Sequence, residues 1–242
     1  MKFDWSAIPD MLPGLLHGLR VTVTATFVIM AIALVVALPI ALARMSRHWW
    51  LRLPSTIYVQ VLRGTPVLLQ LFYLYYVLPF AGIRLSAWTA GILGMSAAYS
   101  AFLSEIYRAG IAAVDRGQTE AALSLGMSRV TVMRIVVLPQ AFRIVIPPIG
   151  NMFVGLFKDT SLLSVLTIRE LMFNGELQAA TTFRHTTIFT VIAVLYLAVC
   201  WPSAAIIDRL ERKLKELPRD QDDVGGGRRW RLSLWPLRRG AA

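Results

Sequence analysis

A chain of 242 residues with 56% hydrophobic and only 16% charged side chains has a mean hydropathy of +0.59. Soluble domains carry about 25% charged residues, so an ordinary cytosolic enzyme is excluded, and so is a disordered chain, which needs low hydrophobicity. A net charge of +11 is also that of a nucleic-acid binder, but the apolar residues fall into long uncharged blocks, and in a membrane protein the same excess sets orientation.

The first block, Val21 to Ala43, would reach about 34 Å as a helix, enough to cross a bilayer. It is too long for a signal peptide, and the preceding residues (Lys2, Asp4, Asp10, Arg20) are not a basic leader. The second block, 57–79, is interrupted by Arg63-Gly64-Thr65-Pro66. The third, 85–104, is uncharged. A polar stretch, 115–134, follows. The fourth block, 135–157, holds Arg143, and its Pro147-Pro148 pair followed by Gly150-Asn151 predicts a break near mid-membrane. Asp159 or Thr160 is expected to cap a short outer helix through Leu171. The fifth block, 186–207, is uncharged and contains the single cysteine, Cys200. One cysteine and three scattered histidines (His17, His48, His185) offer no internal disulfide and no metal spacing.

Seventeen Lys and Arg lie after helix one, between helices three and four, and after Asp208; six lie on the opposite side. The positive-inside rule makes the seventeen cytoplasmic. The reading is an all-α polytopic membrane protein of about five transmembrane helices, N-terminus out and C-terminus in. Residues 1–20 form an extracytoplasmic segment, 21–217 the membrane domain, and 218–242 a cytoplasmic, disordered basic tail. Trp49, Trp50 and Trp88 stand at span ends as interface anchors.

The polar stretch carries Gly117-Gln118-Thr119-Glu120-Ala121-Ala122-Leu123-Ser124-Leu125-Gly126. Thr119 is expected to cap a short helix, Glu120 to favour its positive end, and Gly126 to stop it in the left-handed conformation. Ala121 and Ala122 each share a face with Leu125, and Ser128 is expected to cap a second helix through Val137. Small residues on such a face allow another protein to approach closely; a connecting amphipathic helix without a partner is the plainer alternative.

Glu120-Ala121-Ala122, three residues, Gly126, nine residues and Val136-Val137-Leu138-Pro139 resemble the EAA loop of ATP-binding-cassette importer permeases. Arg63-Gly64-Thr65-Pro66, Glu105-Ile106-Tyr107-Arg108-Ala109-Gly110, Leu138-Pro139-Gln140-Ala141-Phe142-Arg143 and Lys158-Asp159-Thr160-Ser161-Leu162 narrow the resemblance to permeases for polar amino acids, over residues 15–215. Phe102 stands where such permeases often carry Tyr, and Val136 where they usually carry Ile. The resemblance implies a type I ABC importer permease architecture in the bacterial inner membrane and a second permease subunit, identical or paralogous. It further implies an ATPase dimer docked on the loop (Gly117, Gln118, Glu120, Ala121, Ala122, Leu125, Gly126) and an extracytoplasmic substrate-binding protein. It implies no enzymatic role, no cofactor in this chain and no nucleic-acid partner; ATP is used by the ATPase, because the sequence holds no Gly-x-x-x-x-Gly-Lys-Ser/Thr motif.

Ionisable groups at membrane depth are costly and often functional. Arg63 and Glu105 therefore stand as substrate-path candidates, matching the charges of an amino acid, with pairing or snorkelling as the alternative. Asn151 joins them if the Pro147-Pro148 break lines a cavity. For the substrate, Phe3-Asp4-Trp5-Ser6 and Leu12 to Leu19 resemble glutamate/aspartate permeases, which is the favoured reading, whereas Tyr75 to Ile83 resembles permeases for ectoine-type solutes. A stand-alone channel or ion-driven carrier is disfavoured by the loop and by the lack of an internal repeat. An intramembrane enzyme lacks any His-Glu-x-x-His or Gly-x-Ser-x-Gly motif.

Overall fold

Helix α1, Ile8–Met45, takes in both the first apolar block and most of the residues before it, so the expected N-terminal segment 1–20 is helical from Ile8 onward. The computed structural model describes residues 3–216, and the expected tail 218–242 lies outside them. Before α1, one 3-10 turn, Trp5–Ala7, is capped by Asp4, whose carboxylate accepts from the Ser6 amide at 3.0 Å. A hydrogen bond from the Ser6 hydroxyl and the charge of Arg184, 3.3 Å away, hold the Asp4 carboxyl below its usual range.

The second block is not one straight span. Helices α2, Trp49–Gly64, and α3, Val67–Phe72, meet at 108°. The cause is local: Pro66 has no N–H and forces Thr65 out of the helical region, to φ −117° and ψ 145°. The carbonyls left open at the elbow are met by one side chain. Gln70 Nε2 donates to Leu62 O at 2.8 Å, to Thr65 O at 3.1 Å and to Thr65 Oγ1 at 2.9 Å. Past α3 the chain winds through a π turn, Tyr73–Val77, and a 3-10 turn, Leu78–Ala81, which Gly82 ends at φ +85°.

Helix α4, Ala87–Ala112, is the central post. Ser86 caps it by accepting from the Thr89 amide, and it buries Ala90, Met95, Ser96, Tyr99, Ser100, Leu103 and Ser104. Helix α5, Arg116–Ser124, and the single turn α6, Arg129–Val132, form the polar stretch. A π turn, Met133–Val137, leads into α7, Leu138–Asp159.

The expected break at Pro147-Pro148 is absent; α7 is continuous through both prolines. Packing on either side holds it: Val145 lies against Gly110 of α4, and Gly150 lies against Ile207. After α7 comes a 3-10 segment, Thr160–Leu166, for which Asp159 supplies no side-chain cap. A separate helix, α8, Leu171–Thr182, is capped by Glu170, and α9, His185–Glu216, closes the described chain.

Three apolar stretches, Trp5–Met45, Arg129–Leu166 and His185–Leu214, are long and apolar enough to cross a membrane, and the bent pair 49–81 would make a fourth. Helix α4 is long enough at about 39 Å, but its serines, Tyr99, Glu105 and Arg108 make it the most polar of the long helices near its middle and inner end. Its neighbours bury the serines and Tyr99, while Glu105 and Arg108 are only partly covered and pair with each other. The main core lies between α1, α3, α4 and α7, around Ile29, Leu71, Met95, Leu103, Leu156 and Leu163. A second, of Leu15, Leu171, Ile188 and Ile192, joins α1, α8 and α9. Gly18 sets the α1–α8 distance, since a Cβ there would stand 2.8 Å from Glu170 O.

Candidate functional site

Three groups of polar residues stand out against the apolar frame. The first is the polar stretch at the α4–α7 connection. Its helix is capped by Asp115, whose Oδ1 accepts from the Gly117 amide at 2.6 Å, and not by Thr119. Asp115 lies one residue before the helix, where an N-cap belongs; Thr119 is already in its second turn. Gly126 ends the unit at φ +79°, with its amide on Leu123 O. Ser128 caps α6 by accepting from the Thr131 amide at 3.2 Å.

The small face divides in two. Ala122, 6% exposed, is not on the surface but in a small core with Val114, Val132, Val137 and Ala141. Leu125 is 82% exposed, and Glu120, Ala121 and Gly126 are exposed beside it. Gly117 is also exposed, and Gln118 is half-buried. An approaching protein would meet Ala121 and Leu125, while Ala122 supports them from beneath.

The second group lies at the inner part of α4. Glu105 Oε1 accepts from Arg108 Nε at 3.0 Å and from its Nη2, while Oε2 accepts from Arg44 at the end of α1. Arg63 of α2 approaches Oε2 only to 3.9 Å and lies over the Phe102 ring, 5.5 Å from its centre. Arg63 and Glu105 are thus brought together. Asn151 is exposed on α7 and is in neither the Glu105 group nor a side-chain hydrogen bond.

The third group was not singled out as a site from the sequence. Asp159, the last residue of α7, reaches the middle of α4, where the buried Tyr99 donates to its Oδ2 at 2.6 Å. Asp159 closes α7, and the 3-10 segment Thr160–Leu166 follows it directly. A separate carboxylate, the fully buried Glu170, is saturated by the Met172 and Phe173 amides, by Thr22 of α1 and by Tyr196 of α9. Its role is to join three helices. Among the described residues no cluster of His, Cys, Asp and Glu has the form of a metal site.

Residues 29–216 match the family of binding-protein-dependent transport system inner membrane components. The chain belongs to that family. It is a membrane transport component and not an enzyme. The permease is 38% identical over 211 residues to the probable amino-acid ABC transporter permease protein YckA of Bacillus subtilis, spanning 87% of this chain and 93% of that one. It is 35% identical over 219 residues to the glutamine transport system permease protein GlnP of Escherichia coli, spanning 90% of this chain and all of that one. In structure it matches a chain from a crystal structure of an amino acid ABC transporter with histidines, with a TM-score of 0.85, 34% identity, and coverage of 88% of this chain and 100% of the other. A chain from inward-facing conformations of the MetNI methionine ABC transporter shares the fold at 19% identity and a TM-score of 0.71, over 85% of this chain and 98% of that one.

Proposed function

We propose that the permease forms, with a second permease subunit, the path of an ATP-driven bacterial importer of polar amino acids of glutamate or glutamine size, fed by an extracytoplasmic binding protein. Relatives named for amino-acid and glutamine transport support the substrate class. The observation that carries the reading is Asp159 with Tyr99. A carboxylate held at mid-height of the central post, partly open and fixed by one charge-assisted hydrogen bond, is a ready partner for an ammonium group. The exposed Ala121–Leu125–Gly126 surface is the seat for the ATPase partner, which supplies the ATP chemistry this chain lacks. Residues 1–20 face the extracytoplasmic side, and α5 faces the cytoplasm.

The test is uptake of radiolabelled amino acids by proteoliposomes holding the complex and its binding protein, with Asp159→Asn beside wild type. Loss of uptake with normal complex yield supports the site; unchanged uptake refutes it. Orientation is tested by labelling cysteines placed at Ser6 and Ser124 in a Cys200→Ser background. Labelling from one side only would overturn the topology.

A further inference from the structure

Arg63 is the least satisfied charge in the inner cluster. Both Glu105 oxygens are already taken, Oε1 by Arg108 and Oε2 by Arg44. At 3.9 Å the Arg63 contact is an ion pair but too long for a hydrogen bond. Among the described residues no acceptor receives any of its five N–H donors, and 40% of its side chain is exposed. Three guanidiniums facing one carboxylate leave a surplus of two positive charges. The Phe102 ring, its centre 5.5 Å from the guanidinium carbon, gives Arg63 a cation–π contact that uses none of its N–H donors. An unsaturated fork in a locally positive site is the arrangement that receives an oxyanion through two parallel hydrogen bonds.

We propose that Arg63 binds the α-carboxylate of the transported amino acid at a second station, inward of Asp159. This rests on the amino-acid importer reading. Glu105 is a poor ammonium ligand: it already accepts three hydrogen bonds from Arg44 and Arg108, and the surplus charge around it repels a cation. The two stations are distinct, since Tyr99 and Glu105 stand about 9 Å apart along α4 by helical rise, whereas the ammonium and carboxylate of an amino acid share one carbon. The substrate is held first by its ammonium and then by its carboxylate. The inner station reads a group common to all amino acids, so it is indifferent to the side chain, and selectivity must be set before it.

The complex of permease and ATPase is purified in nonionic detergent without binding protein or nucleotide. The probes are the amino acid that proteoliposomes of the full system take up fastest and its α-carboxamide, with equilibrium binding as the readout. Wild type is expected to bind the free acid at least tenfold more tightly than the amide. Arg63→Gln removes that preference by weakening the acid alone, Arg63→Lys keeps part of it, and Phe102→Leu weakens the acid several-fold while sparing complex yield.

Equal binding of acid and amide by wild type, or an Arg63→Gln complex that binds the acid normally, overturns the proposal. Bound phosphatidylglycerol, counted by native mass spectrometry on the same samples, separates the other oxyanion source. Loss of that lipid in Arg63→Gln with amino-acid binding unchanged assigns Arg63 to the membrane surface and also overturns it. A full system that takes up no amino acid overturns the importer reading, whereas normal uptake with an inert Arg63 overturns the station alone.

Discussion

Replacing Glu170 with Ala should loosen the junction of α1, α8 and α9 more than any other single change at a polar residue. The carboxylate accepts from the Met172 amide at 2.9 Å, the Phe173 amide at 2.7 Å, Thr22 Oγ1 at 3.3 Å and the Tyr196 hydroxyl at 3.1 Å. Loss of a helix cap costs about 1 kcal/mol. The buried Thr22 hydroxyl and the half-buried Tyr196 hydroxyl, stripped of their acceptor, add about 1 kcal/mol each at the low end of the range for unsatisfied groups. The sum is about 3 kcal/mol, which for a chain of this length corresponds to a fall of about 6–12 °C in apparent Tm. Glu170→Gln should cost only about 1 kcal/mol, because its oxygen still caps α8 and its amide N–H can donate to Thr22 or Tyr196, whose hydroxyl oxygens also accept. Thermal unfolding of the detergent-purified complex, followed by scanning fluorimetry, gives both shifts. An Ala variant as stable as wild type, or less damaged than Gln, would refute the view that this carboxylate binds the three helices together.

In the α4–α7 connection, Leu125→Asp should leave thermal stability within about 0.5 kcal/mol of wild type, as exposed substitutions do, yet abolish co-purification of the ATPase. Ala122→Arg should act the other way, lowering stability by about 3 kcal/mol or more by forcing a charge into a small apolar core, measurable as proteolysis of residues 115–134 before the spans. Gly126→Asp adds about 1 kcal/mol of strain at a left-handed position and sets a negative charge at the negative end of α5; uptake in vesicles is expected to fall while membrane insertion holds. Gln70→Leu strips the donor from two carbonyls at the elbow, a loss of about 2 kcal/mol, and should reduce uptake rate, while Gln70→Glu, which has no donor when ionised, fails to rescue it.

Local chemistry was legible wherever a residue's neighbours in sequence decide its conformation. Pro66 bends the chain, Gly126 ends α5 with positive φ, and Ser128 caps α6, all within four residues of their partners. The size of the bend was not legible, because 108° depends on where α3 packs against α4. Pro147-Pro148 misled for the same reason in reverse: local sequence predicts a break, but contacts to Gly110 and Ile207 keep α7 whole. Thr119 lost the cap to Asp115, four residues earlier, whose position became an N-cap once the helix began at Arg116. Glu105 could be paired with Arg108 from spacing, but Arg44, which also donates to it, comes from 61 residues away. Tyr99 and Asp159 are 60 residues apart, and nothing along the chain connects them. Ala122 looked like a surface residue because a small side chain reads the same on an open face and in a tight core.

The core that holds Ala122 also contains Val137 and Ala141 at the start of α7. The α5–α6 unit and the foot of α7 therefore form one stiff block, with Leu125 as its outermost point. A few residues further along α7, Val145 lies directly against Gly110, with no room for a Cβ between them. The arrangement is a crank with its handle at Leu125 and its bearing at Gly110. A push on the handle would bear directly on the foot of α7, the helix whose far end carries Asp159. Enlarging Gly110 would seize the bearing, and such a permease would still hold its ATPase, still allow ATP to be hydrolysed, and move nothing.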